Sequence, residues 1–167
     1  MDDMPTQADW RRWLEDHAPK FLLYARQQTR CEADAQDVVQ EALVEAAERH
    51  GKESSPPPAM VFATIRRRAI DLARSQTRRT GRELATAEGA DTCWFDVSAE
   101  ERERARLIQN AMRRLPEIYR EVITLKIWSE LTFAEIGQAL AIPANTAASR
   151  YRYALGEMRK LTKEVLA

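Results

Sequence analysis

The sequence predicts an all-α protein of two small helical domains joined by a flexible acidic linker, the C-terminal domain being a helix-turn-helix (winged-helix-like) unit. Three observations carry that reading. Helix-forming residues dominate and apolar residues recur at 3.6-residue spacing, with few alternating runs that would suit strands. The charge then reverses near the middle of the chain, where an arginine-rich stretch ending at Arg82 gives way to Glu83, Glu88, Asp91, Asp96, Glu100, Glu101 and Glu103. Finally, Leu131 to Leu161 reads as two short helices joined by a tight turn. The domains are expected at residues 6–82 and 104–165, with 83–103 between them.

Composition bounds the function. The 167 residues are 44% hydrophobic, ordinary for a globular protein, and fit one domain or two small ones. Lys+Arg and Asp+Glu both total 26, so net charge says nothing about nucleic acid and only its distribution is informative. Cys31 and Cys93 are far apart with no C-x-x-C or nearby His, which reads as two free thiols in a reducing cytosol rather than a zinc site or a disulfide. Asp2 and Asp3 precede no apolar core, so no signal peptide is expected, and no run is long enough for membrane insertion. A cytoplasmic protein is expected. Neither a Gly-rich phosphate loop, a G-x-S-x-G elbow nor a His with a spaced Cys or carboxylate stands out, so no catalytic residue, metal ligand or cofactor is expected and the chain does not read as an enzyme.

Taken in order, Thr6 suits the cap of a first helix in which Trp10, Trp13, Leu14 and His17 share one side. Pro19 is expected to kink or divide it before Phe21, Leu22, Tyr24, Ala25 and Gln28 continue the pattern. His17 reads as a helix-surface residue. A second helix is expected from a capping Asp34 to about Arg49, with Val38, Val39, Ala42, Leu43 and Ala46 inward. Its other face, Asp37, Gln40, Glu41, Glu45 and Glu48, suits either solvation or a basic partner. His50 to Pro58 is a loop, ended by Gly51 on the helix side and stiffened by Pro56, Pro57 and Pro58. The third helix sets Phe62, Ile65, Ala69, Leu72 and Gln76 on one side. Arg66, Arg67, Arg68, Arg74, Arg78, Arg79 and Arg82 crowd the segment, with Asp71 as their only local opponent. So dense a basic stripe suits phosphate contacts better than solubility alone.

Within the acidic linker Trp94 and Phe95 offer anchors. Leu107, Ile108, Ala111, Met112 and Leu115 then form one helical stripe, and Pro116 suits the first turn of a helix with Ile118, Tyr119, Val122, Ile123 and Leu125 inward. Thr132 and Glu135 make a capping box, T-x-x-E, ahead of the apolar face Phe133, Ile136, Gly137 and Leu140. Ala141-Ile142-Pro143 cannot easily continue that helix, and a second restarts near Asn145 or Thr146. There Ala147, Tyr151, Ala154, Leu155, Met158 and Leu161 are inward, and Ala148, Ser149, Arg150, Arg152, Tyr153 and Arg159 outward. Outward donors and cations after a tight turn suit a DNA major groove. An ordinary helical hairpin with solvated charges would show the same spacing.

Over Trp10 to Leu161 the chain resembles the bacterial sigma factors of the extracytoplasmic-function group, in the sigma-seventy family. DAQDVVQEAL, Asp34 to Leu43, is similar to the family's polymerase-binding helix, and RRRAIDLAR, Arg66 to Arg74, to its minus-ten helix. LPEIYREVITLKIWSELTFAEIGQAL and NTAASRYRYAL resemble its C-terminal domain and recognition helix. The resemblance implies that Asp34, Asp37, Gln40 and Glu41 dock core RNA polymerase, at the clamp coiled coil of its largest subunit. It also implies that Met60, Arg66, Arg67, Arg68, Arg74, Arg78 and Arg79 meet the minus-ten promoter DNA, with the His50 to Pro58 loop taking an unstacked base. Asn145, Thr146, Ser149, Arg150, Arg152 and Tyr153 would meet the minus-thirty-five element, and the acidic linker would thread towards the polymerase active-site cleft. An anti-sigma factor is a further partner that the resemblance admits. The chain departs from the family's frequent residues at Met60 (often Trp), Arg67 (often Asn), Ala141 (often Gly), and Ala148 and Tyr153 (often basic). A stand-alone helix-turn-helix regulator, or a decoy that binds an anti-sigma factor, are the rival functions.

Overall fold

The computed structural model describes residues 7–50, 55–79 and 92–166. They form α1 (Gln7–Gln28), α2 (Glu32–His50), α3 (Pro58–Arg79), α4 (Arg102–Arg113), α5 (Glu117–Ile127), α6 (Phe133–Leu140) and α7 (Ala144–Leu166), with no strand among the described residues. The chain divides into two compact units between Thr92 and Cys93. Thr6, Gly51 and Arg82, each given a role from the sequence, lie outside the described residues.

In the N-terminal unit α1, α2 and α3 each pack against the other two. Helix α1 is not divided at Pro19 but runs through it. The proline is exposed, so the carbonyl it deprives of a partner can turn to water rather than end the helix. Phe21, Tyr24 and Ala25 are fully buried. Phe62 meets Phe21 at 4.9 Å and Tyr24 at 5.5 Å between ring centroids, both edge-on, a geometry worth about 0.5–1.5 kcal/mol per pair beyond the area buried. Helix α2 begins two residues earlier than Asp34, because the Ala35 amide already donates to the Cys31 carbonyl at 3.1 Å. Asp34 therefore sits in the first turn, where a negative charge still favours the helix dipole. Ala35, Val38, Val39, Ala42 and Ala46 form its buried stripe, while Leu43 is half-buried.

In the C-terminal unit α7 packs against α4, α5 and α6. Met112, Val122, Leu125, Ile136, Ala147 and Ala154 are fully buried. Ala147 and Ala154 lie two turns apart on one face, where their small side chains admit close approach of the neighbouring helices. Pro116, with φ −54° and ψ 146°, caps α5 from outside the helix rather than standing in its first turn. Ile118, expected inward, is 42% exposed. The stretch expected to be linker is held to this unit at its end. Trp94 is buried, its amide donates to Gln109 Oε1 at 2.9 Å, and Phe95 packs on Trp128 at 5.3 Å. The guanidiniums of Arg113 and Arg120 lie 5.0 and 5.7 Å from the Trp94 ring, a cation–π arrangement. Burial lowers the Arg120 pKa, and Glu117 and Glu121 act against that.

Candidate functional site

The α6–α7 turn is fixed by backbone chemistry. Thr132 and Glu135 form the reciprocal box read from the sequence: the Thr132 amide donates to Glu135 Oε1 at 3.0 Å and the Glu135 amide to Thr132 Oγ1 at 3.1 Å. At the other end Ala141 is left-handed, with φ 56° and ψ 46°, and its amide returns to the Gly137 carbonyl. The Ile142 amide donates to that carbonyl as well, at 3.0 Å. So tight a return brings the chain back onto Gly137, where an added Cβ would lie 2.6 Å from the Ile142 carbonyl oxygen. The glycine is thus required by close approach. Helix α7 starts at Ala144, so Asn145 and Thr146 occupy its first turn rather than capping it, and the Ala147 amide bonds to the Pro143 carbonyl.

On α7 the structure exposes Asn145, Ser149, Arg152 and Tyr153, and leaves Thr146 and Arg150 half-buried. Tyr153 is 51% exposed, with its ring 4.4 Å from that of Tyr119. Among the described residues Arg150, Arg152 and Arg159 have no ion pair. These side chains therefore form a polar, cationic face, most exposed at Asn145, Ser149, Arg152 and Tyr153.

The N-terminal unit presents a different arrangement. On α2 Asp37, Gln40 and Glu41 are exposed along one face, whereas Asp34 is half-buried and accepts a hydrogen bond from Gln76 Nε2 at 2.8 Å. On α3 Arg67, Arg74, Arg78 and Arg79 are exposed and Met60, Arg66 and Arg68 half-buried. Met60 Sδ lies 3.2 Å from His50 Nε2, which ties the start of α3 to the end of α2.

Ion pairs across the α2–α3 seam were not readable from local spacing, which offered Asp71 alone as an opponent. Arg67 Nη2 donates to Glu45 Oε1 at 2.6 Å. Arg68 bonds Glu45 Oε2 through Nε at 3.1 Å and Nη2 at 2.8 Å, and reaches Glu41 Oε2 through Nη1 at 3.0 Å. Arg49 completes the cluster on Glu45 Oε1 at 2.9 Å. The hydrogen bond from Arg67 holds the Glu45 carboxyl below its ordinary pKa, against the desolvation that would raise it, and Arg68 acts in the same sense as Arg67. The partners across the seam lie 22 to 27 residues apart, too far for helical periodicity to relate them, whereas Arg49 reaches Glu45 from one turn along α2. Among the described residues no group of three or more His, Cys, Asp or Glu side chains is placed to hold a metal ion.

Comparisons with known proteins agree with both halves. Residues 13–79 match the family described as Sigma-70 region 2, and residues 105–158 the family described as Sigma-70, region 4. The chain is 30% identical over 129 residues to the RNA polymerase sigma-E factor of Streptomyces antibioticus, covering 76% of this chain and 69% of that protein. It is 25% identical to the ECF RNA polymerase sigma factor RpoE of Cereibacter sphaeroides, covering 96% of this chain and 98% of the relative. In fold it is similar to the sigma factor RpoE of Bartonella quintana, solved in complex with the anti-sigma factor NepR. The TM-score is 0.75 at 19% identity, over 93% of this chain and 97% of that one.

Proposed function

The chain belongs to the extracytoplasmic-function group of the sigma-70 family of bacterial RNA polymerase sigma factors, and from that premise we propose which of its surfaces perform each step of promoter recognition. As a sigma factor it binds core RNA polymerase and directs it to promoter DNA. The observation that carries the reading is that one chain holds both a region 2 and a region 4 unit, each with a polar face left open.

The exposed acidic face of α2, Asp37, Gln40 and Glu41 with Asp34 at its edge, docks a basic surface of the polymerase. Arg66, Arg67, Arg68, Arg74, Arg78 and Arg79 on α3, with Met60 at its start, meet the minus-ten DNA, the arginines through phosphates. In the C-terminal unit Asn145, Thr146, Ser149, Arg150, Arg152 and Tyr153 on α7 meet the minus-thirty-five element in the major groove. The two domains are residues 6–82 and 104–165, and the residues between supply an acidic connection whose end, at Trp94 and Phe95, is packed on the C-terminal unit. The protein acts in the cytoplasm, where its polymerase is, and as an initiation factor it needs no catalytic residue of its own. No helix of the described residues is long and apolar enough to cross a membrane. An anti-sigma factor that covers these polar faces would silence the protein.

Reversing the charges, Asp37→Lys with Glu41→Lys, is expected to weaken core binding by about tenfold, roughly 1.4 kcal/mol, while the protein stays folded, since the Glu41–Arg68 pair it breaks is partly exposed and contributes little stability. Core binding by native gel that stays at the wild-type level would remove α2 as the docking face.

A further inference from the structure

The arginines assigned to minus-ten phosphates are not all free to take them. Arg67 and Arg68 already hold a carboxylate, whereas Arg74, Arg78 and Arg79 have no ion pair among the described residues. A guanidinium recognises carboxylate and phosphate through the same planar fork of N–H donors, so the two anions compete for the same edge. The layering suits such a competition. The Glu45 side chain is 16% exposed, beneath Arg68 at 34% and Arg67 at 52%, so the acid lies under the two cations and their outer sides face solvent.

We propose that Glu45 is an internal competitor for promoter phosphate, holding Arg67 and Arg68 in the free protein until a DNA phosphate displaces it. The proposal rests on the reading that the arginines of α3 meet DNA. Glu45 weakens the grip of the isolated chain on any duplex without removing the cations, since it faces three arginines and offsets one positive charge. Non-specific binding is almost wholly phosphate neutralisation, so it carries the largest effect. Glu41 shares Arg68 alone and makes the same contribution at smaller size.

The test uses the full chain, a short fluorescein-labelled duplex and fluorescence anisotropy across a salt series. Glu45→Gln keeps the shape of the side chain and removes its charge. It is expected to tighten binding at low salt about three- to tenfold, the scale set by breaking partly exposed ion pairs. It should also steepen the dependence of log K on log salt by about 1 to 2, one or two phosphates gained. Glu41→Gln should tighten binding by about twofold, about half the loss of one such pair, and stands as the second variant if Glu45→Gln folds poorly. Glu15→Gln, an equal charge change at an exposed site on α1, should not alter binding beyond about 1.5-fold, a distant charge being largely screened. Adding Arg67→Gln and Arg68→Gln should abolish the effect of Glu45→Gln.

Weaker binding in Glu45→Gln would show instead that Glu45 positions the arginines for DNA, and would overturn the proposal. Equal tightening with and without the arginines would reduce it to net charge, also overturning it. If the double arginine variant binds DNA as well as the wild type even in the Glu45→Gln background, these arginines do not meet DNA. That result removes the underlying assignment, whereas a loss with the arginines but no gain with Glu45→Gln removes the competition alone.

Discussion

The two units prepare for DNA in opposite ways. On α7 Arg150, Arg152 and Arg159 have no ion pair among the described residues, and their placement is set by backbone: a capping box, a left-handed Ala141 and a glycine pressed against a carbonyl. On α3 the placement is set by charge, since Glu45 and Glu41 reach across from α2 and hold Arg67 and Arg68. The first arrangement leaves the proposed reading face with cations that need only lose water. The second gives a face that must exchange one anion for another. Base discrimination needs fixed geometry and phosphate contact tolerates exchange, so the difference suits the tasks we propose for these two faces, reading and holding a promoter.

The comparison is most easily broken at Gly137. Gly137→Ala places a Cβ 2.6 Å from the Ile142 carbonyl oxygen, a backbone atom that cannot move without opening the turn. The C-terminal unit should lose about 2–3 kcal/mol, the scale of forced overpacking. Hydrogen exchange resolved by helix should show α6 and α7 losing protection and α1 to α3 keeping theirs. A next step in size is Arg150→Ala, expected to cost specific promoter binding by the holoenzyme about 1–3 kcal/mol. Its non-specific binding should fall much less; equal losses would demote Arg150 to a phosphate contact. Thr132→Ala removes one half of the capping box and should cost about 1 kcal/mol in chemical denaturation. Ala141→Gly sharpens the comparison from the other side. It relieves a left-handed L-residue and should raise stability by about 0.5–1 kcal/mol, net of the extra freedom glycine has when unfolded. An unchanged or lower value would mean that the turn does not set the strain of this unit.

Acid is the smallest lever, and it acts on the N-terminal unit. Burial lowers the His17 pKa from 6.5, with Lys20 adding to that and Asp16 opposing it. A histidine harder to protonate when folded contributes stability above pH 6.5, and that stability is lost as pH falls from there through its folded pKa. Glu45, held low by Arg67, and Glu32, held low by the hydrogen bond from Arg26, contribute stability above their ordinary value of 4.5 that is lost as pH falls through their folded values. Glu32 is 43% exposed at its side chain, so its share is slight. Protection of α1 to α3 in hydrogen exchange should therefore decline in two windows, one beginning below pH 6.5 and one below 4.5.

Local signals made most of the helices legible. Thr132 and Glu135 sit three apart and bond as a box must, and the stripe on α2 is buried except for a half-buried Leu43, whereas of the stripe expected on α7 only Ala147 and Ala154 are buried and the rest are half-buried. Ala141, standing where a left-handed residue favours glycine, still turns left-handed because the Gly137 carbonyl receives two amides there. What sequence order hid was tertiary. Pro19 suggests a break only if its lost hydrogen bond matters, and exposure makes it tolerable. Glu45 looked like one more solvated acid until α3 packed beside it. The aromatic residues of the acidic stretch read as anchors, but nothing in their neighbourhood named Arg113, Arg120 and Gln109 as what Trp94 binds. The polymerase and DNA contacts belong to partners, and the fold alone shows which of their side chains face outward.

The most direct test of the whole account is transcription in vitro with purified core polymerase, with and without this protein, on fragments of the source genome sequenced at their transcript starts. The account predicts new starts that share two spaced upstream elements, one for each unit. Stable binding to core with no new starts would contradict it, and would leave a chain that occupies polymerase without choosing promoters.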